Sequence, residues 1–123
     1  MLDSEYPNLA NIKTMIDEVE FHDLPVDGIS FGVDDKRIVL VVLKFNEHSQ
    51  EYDRIEFLFS NTSDLILEDR NFLAIQEITH YELSAIGQRH RIQIMFLTGF
   101  SGPSLTMEFW FDDLSVQQLA QLP

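Results

Sequence analysis

The sequence contains no cysteine, which excludes disulfide staples, thiolate metal sites and a cysteine nucleophile. Cations are scarce: eight Lys and Arg stand against 21 Asp and Glu, for a formal net charge of −13. A pI near 4.4 argues against nucleic acid as a direct ligand, because binding a polyanion draws on neutralised phosphates and released counterions. The same field repels anionic membranes. Long apolar runs are also missing, the longest being the six residues Ile38 to Leu43, too few to span a bilayer. The amino terminus, Met1-Leu2-Asp3-Ser4-Glu5, lacks the basic-then-apolar order of a signal peptide. The expectation is a cytoplasmic protein with neither nucleic acid nor membrane as partner.

What is present is apolar and aromatic. With 45% hydrophobic residues and ten Phe in 123 positions, the chain has enough apolar surface to fold, so its acidity is not the signature of disorder. No linker, internal repeat or low-complexity tract divides it, and residues 1–123 read as one domain.

Leu9, Ile12, Ile16 and Val19 recur at spacings of three and four with Asp17, Glu18 and Glu20 off the stripe, which predicts a short amphipathic helix; Asn8 is a candidate N-cap. From Val26 the period becomes two. Ile29, Phe31 and Val33 alternate with Gly28, Ser30 and Gly32, a strand whose second face is nearly bare, as a close approach or a bend requires. Asp34-Asp35-Lys36 turns the chain into Arg37 to Phe45, apolar on both faces and hence a central strand. After the polar connection Asn46 to Glu51, the segments 52–60, 90–98 and 105–111 alternate in turn, and Leu65-Ile66-Leu67 is a short apolar return. Phe57 and Phe59, Ile92, Ile94 and Phe96, and Met107, Phe109 and Phe111 lie on the apolar faces. Residues 72–83 carry both helical and strand signals, and strand is the reading adopted. Ser115-Val116-Gln117-Gln118 matches a capping box, predicting a closing helical turn. The sum is a mainly β (α+β) fold: an antiparallel β-sandwich or partly open barrel of six to seven strands with a short N-terminal helix.

No constellation supports catalysis. His22-Asp23 could orient an imidazole, but neighbours in an extended segment point apart, and a structural role at the helix exit is the expectation. His48, His80 and His90 fall on separate segments without metal-ligand spacing. The acidic doublets at 17–18, 34–35, 68–69 and 112–113 lack the alternation of a calcium loop. In Gly99-Phe100-Ser101-Gly102-Pro103 a proline replaces the second glycine of a nucleophile elbow. The reading is therefore a protein that is not an enzyme, with no metal and no cofactor.

Charge is distributed unevenly. Nine carboxylates against Lys13 alone leave residues 1–35 at −8, whereas residues 83–107 hold no carboxylate and include the one basic cluster, Arg89-His90-Arg91. An acidic field of that density speeds association with a basic partner by roughly 10–10³-fold at low salt. The candidate contact residues are Asp17, Glu18, Glu20, Asp27, Asp34 and Asp35. Trp110 occupies the polar side of its strand, with cover from the first helix expected.

Two segments carry a resemblance. Phe21-His22-Asp23-Leu24-Pro25-Val26-Asp27-Gly28-Ile29-Ser30-Phe31 resembles the "FHD, then a strand" opening of a family of small bacterial β-proteins. Ile55-Glu56-Phe57-Leu58-Phe59-Ser60-Asn61-Thr62-Ser63-Asp64-Leu65-Ile66-Leu67 is similar to its "strand, then D-L-x-L return". Some members of that family are immunity proteins of polymorphic toxin systems and many are uncharacterised. The resemblance implies a non-catalytic inhibitor of a basic toxin. Two other readings stand beside it: a β-barrel holding a small apolar ligand among its Phe side chains, and a homodimeric assembly module built on Trp110 and the Leu58 face.

Overall fold

The computed structural model describes residues 9–20, 24–32, 34–67, 75–87, 89–98 and 105–119. The 3–4 spacing at the start gives α1 (Leu9–Glu18), with Ile12 and Ile16 fully buried. The helix stops at Glu18 and the chain turns away through Glu20, which takes a left-handed conformation (φ 58°) while the amides of Val19 and Glu20 donate to the carbonyls of Ile16 and Asp17. These short-range bonds tighten the last turn and satisfy carbonyls that helix termination leaves open.

Eight strands follow among the described residues: β1 (Val26–Gly32), β2 (Arg37–Asn46), β3 (Glu51–Ser60), β4 (Ser63–Leu67), β5 (Ile75–Ile86), β6 (Arg89–Thr98), β7 (Leu105–Phe111) and β8 (Asp113–Leu119). They form two antiparallel four-stranded sheets, ordered β1-β2-β3-β8 and β4-β7-β6-β5, an open sandwich of the expected class with more strands than the six or seven anticipated. The alternating residues meet between the sheets. Leu40, Phe57, Phe59, Ile92, Ile94, Phe96, Phe109 and Phe111 are all fully buried there. Phe59 of the first sheet sets its ring edge-on to Phe109 and Phe111 of the second, each at 5.0 Å, the geometry aromatic quadrupoles favour. Residues 75–83, ambiguous in sequence, are strand: Ile78 and Tyr81 pair with Phe96 and Ile94.

The expected closing helical turn is a strand instead. Val116 and Leu114 of β8 lie opposite Phe57 and Phe59 of β3, and Leu114 is 4% exposed. Burying these alternating side chains on the core outweighs the local capping-box signal, since propensity yields to tertiary packing.

Two strands change sheets without a long connection. β3 runs into β4 through Asn61 and Thr62, and its partner β7 runs into β8 through Asp112. Residues 51–67 and 105–119 are thus one antiparallel ribbon folded over a corner, the usual way strands cross between packed sheets. Asn61 supplies a positive φ of 54° there, which Asn tolerates better than most residues. At the opposite edge, the Ile78 amide donates to the Leu24 carbonyl and the Leu43 amide to the Pro25 carbonyl, tying the β1 entry to both sheets.

Candidate functional site

The corner and the β2–β3 turn lie at opposite ends of β3, about 30 Å apart for a ten-residue strand. At the corner Arg89 donates from Nε to Asp112 Oδ1 (2.7 Å), from Nη1 to Ser63 Oγ (2.9 Å) and from Nη2 to the Asn61 carbonyl (2.6 Å). The Asn61 amide donates to the other oxygen of Asp112. Burial alone would raise the Asp112 carboxyl, but the bonds from Asn61 and Arg89 hold it below the usual carboxylate range. Two residues further along β6, Arg91 donates to Glu108 Oε1 of β7 at 2.5 Å, which keeps the Glu108 carboxyl low and the Arg91 guanidinium high. The basic cluster of the sequence is therefore no positive pole, because carboxylates on neighbouring strands answer both guanidiniums. His90 between them is buried and stacks on Phe111 at 5.4 Å.

The six acidic candidates separate into two groups. Asp17, Glu18 and Glu20 end α1, and Asp27 is the extra residue of a β-bulge in β1, where Val26 faces Val42 but Gly28 faces Val41. The bulge is the bend that the bare strand face called for, and it aims Asp27 across β2 at Arg54 of β3 (3.2 Å). Asp34 and Asp35 sit in the β1–β2 turn at the corner end, about seven residues of strand away. The Asp35 carboxylate folds back to within 2.0 Å of where a Cβ on Gly32 would be and accepts from Arg37 Nε at 2.7 Å. This is the close approach that residue 32 must leave room for.

Most of these charges already have a counter-ion. Lys13 holds Asp17 (3.0 Å), Lys44 lies 3.7 Å from Glu20, Arg54 holds Asp27 and Arg37 holds Asp35. Asp17 also accepts from the Tyr81 hydroxyl at 2.6 Å. The Tyr81 bond first and Lys13 second hold this carboxyl below its ordinary range, while burial first and the Asp17 bond second push the Tyr81 hydroxyl up. Asp17 thereby fastens α1 to β5. Glu18 and Asp34 are exposed and have no ion pair among the described residues. His22 and Asp23 lie outside the described residues, as do Asn8 and the segment 99–104.

Residues absent from the sequence-based candidates gather at the β2–β3 end. The turn is rigidly built: the Asn46 side-chain oxygen accepts from the amides of His48 and Ser49, and the Gln50 amide returns to the Asn46 carbonyl at 2.8 Å. Beside it Phe45 and Tyr52 pair across the strands, ring edge to ring face at 5.3 Å, yet remain 44% and 53% exposed. Exposed Glu47 and Glu51 flank them. Folding the polar stretch 46–51 as a four-residue turn brings these aromatics opposite each other; read as an unspecified connection, it hides them.

Trp110 and Leu58 lie on the outer faces of different sheets, since Phe109 and Phe111 flank the one, and Phe57 and Phe59 the other, pointing inward. They do not share a surface. Nor does α1 cover Trp110, because Ile12, Ile16 and Asp17 engage the core side and Tyr81. On that second outer face Glu82, Leu83, Ser84, Arg91 and Gln93 line a shallow concavity of about 410 Å³. Among the described residues no group of His, Asp and Glu could hold a metal ion, and no helix is long and apolar enough to cross a membrane. Compared with family models, with curated proteins and with solved structures, the chain matches none.

Proposed function

We propose that the chain is a non-catalytic protein-binding domain, an immunity-type inhibitor that acts in the cytoplasm and engages a basic toxin, such as a nuclease, through an acidic surface. The observation that carries this reading is the fate of the cations. Lys13, Arg37, Lys44, Arg54, Arg89 and Arg91 are each within ion-pair distance of a carboxylate. With those six neutralised in a chain of net charge −13, the field offered to solvent is almost wholly negative. Such a surface steers a basic protein and opposes an acidic one. The resemblance of the 21–31 and 55–67 segments to a family that includes immunity proteins supports the same reading. The buried Phe side chains pack ring against ring, a support for protein binding over an apolar ligand held among them. A standard interface buries about 800 Å² per partner, a modest part of the 7673 Å² of accessible surface.

The test is co-expression with any toxin-like domain found among the genes flanking this one in its native host, or failing that a panel of basic nuclease toxin domains, followed by affinity measurement on the purified pair. Rescue of growth and an affinity that falls steeply with salt are expected. No rescue, together with binding indifferent to salt, overturns the reading.

A further inference from the structure

The outer face of the β1-β2-β3-β8 sheet combines three features at its β2–β3 end. First, Phe45 and Tyr52 hold exposed rings in a fixed mutual orientation on a turn locked by Asn46. A ring face displayed this way attracts a cation electrostatically, Arg more often than Lys. Second, the apolar row continues along β2 through Leu43 and Val41, while the neighbouring row on β1 carries Gly28 and Ser30. A Cβ placed on Gly28 would meet nothing within 4 Å, so there is room for a partner side chain beside Val41, with the Asp27–Arg54 pair crossing β2 between that space and the aromatic pair. Third, the rim is acidic. Glu47, in the turn that follows Phe45, is exposed and has no ion pair among the described residues, and Arg54, the cation two residues along β3 from Tyr52, is engaged by Asp27.

Charge complementarity selects the occupant. A second copy of this chain would bring its own −13 and the same carboxylates to the contact, where like charges facing each other are unfavourable. A cationic group gains from the ring faces and the carboxylates together, and guanidinium suits both, being planar for stacking and forked for bidentate bonding to carboxylate. We infer that the β2–β3 end of this sheet face is the contact surface for an arginine-bearing segment of a basic protein, with guanidinium on the Phe45–Tyr52 pair and its N–H groups donated to Glu47. This rests on the acidic-surface reading above and moves its centre from α1 and the β1–β2 turn to the hairpin.

The experiment titrates the full chain with a short Arg-Gly repeat peptide at low salt, with Lys-Gly and Glu-Gly repeats alongside, and follows backbone amide shifts. Saturable shifts at Phe45, Glu47, Glu51 and Tyr52 are expected with the arginine peptide. They should weaken with the lysine peptide and vanish with the acidic one. The double variant Phe45→Ser, Tyr52→Ser, its spectrum otherwise unchanged, is expected to bind the arginine peptide about tenfold more weakly; Glu47→Gln is expected to flatten the salt dependence. Shifts confined to Glu18, Asp34 and Asp35 overturn this surface while leaving the acidic-partner reading intact. Equal binding of the arginine and lysine peptides overturns the aromatic role. Concentration-dependent shifts at Phe45 and Tyr52 without peptide make a second copy the occupant and overturn the inference. Absence of shifts with every peptide overturns it too, and the toxin-domain measurement then decides the broader reading separately.

Discussion

The two ends of β3 handle polar groups in opposite ways. At the corner one guanidinium meets Asp112, Ser63 and the Asn61 carbonyl, and the Lys36 carbonyl of the adjoining turn accepts from both the amide and the hydroxyl of Thr62. At the β2–β3 end an aromatic pair and two glutamates face solvent on an equally well-defined turn. A sheet crossing leaves backbone and side-chain groups that must be satisfied locally, because unmet buried polar groups cost about 1–3 kcal/mol each. The hairpin end meets its backbone demand within the Asn46 turn itself and leaves its rings and carboxylates exposed. The contrast separates residues that hold the fold from residues that stand exposed at its edge.

Four perturbations sharpen that division, beginning with a change that should strike both ends alike. Phe59→Ala removes the ring that touches Phe109 and Phe111 and is expected to cost about 3–5 kcal/mol, read from urea unfolding. Arg89→Ala leaves Asp112, Asn61 and Ser63 without their shared donor. With the pair about 40% exposed, a loss of about 2 kcal/mol is expected, against near zero for Arg37→Ala in its exposed turn. Glu20→Gly relieves a left-handed glutamate and forfeits only a 3.7 Å contact to Lys44 with Glu20 82% exposed. A gain of up to about 1 kcal/mol in thermal or urea unfolding should follow.

The smallest effect is with pH. Asp17, Glu108 and Asp112 all have carboxyls held below their ordinary values of 3.8 for Asp and 4.5 for Glu. A group whose folded pKa is depressed contributes stability above its unfolded pKa and loses it as pH falls through the folded value. Stability should therefore decline as pH drops below about 4.5 and keep declining below 3.8. In Asp17→Asn the decline should be shallower, and NMR titration of the three carboxyls is the check.

Much of the fold was legible because alternation is a short-range signal: Phe57 and Phe59, Ile92 to Phe96 and Met107 to Phe111 face inward as their spacing indicates. The same local logic misread Ser115 to Gln118, where a four-residue capping pattern competed with a packing demand from β3 that no local window contains. Charge was less legible than pattern. Nine carboxylates in the first 35 residues look like one acidic end, yet the bulge and the β1–β2 turn put Asp27 and Asp35 at opposite ends of β1 and bring an arginine to each. Arg89 and Arg91 looked like a basic counterpart until cross-strand pairing placed Asp112 and Glu108 beside them. Ion pairing between distant segments is a property of register, and register becomes visible only once the strands are paired.

The measurement that bears most directly on this division is a pair of urea unfolding curves, one for Asp112→Ala at the corner and one for Glu51→Ala at the hairpin end. Asp112→Ala is expected to lose about 2 kcal/mol, since the Asn61 amide and Arg89 Nε both lose their acceptor. Glu51→Ala is expected to stay within about 0.5 kcal/mol of the parent chain. Equal losses at the two sites, or a larger loss at Glu51, would contradict the account, for the hairpin end would then be holding the fold rather than standing open.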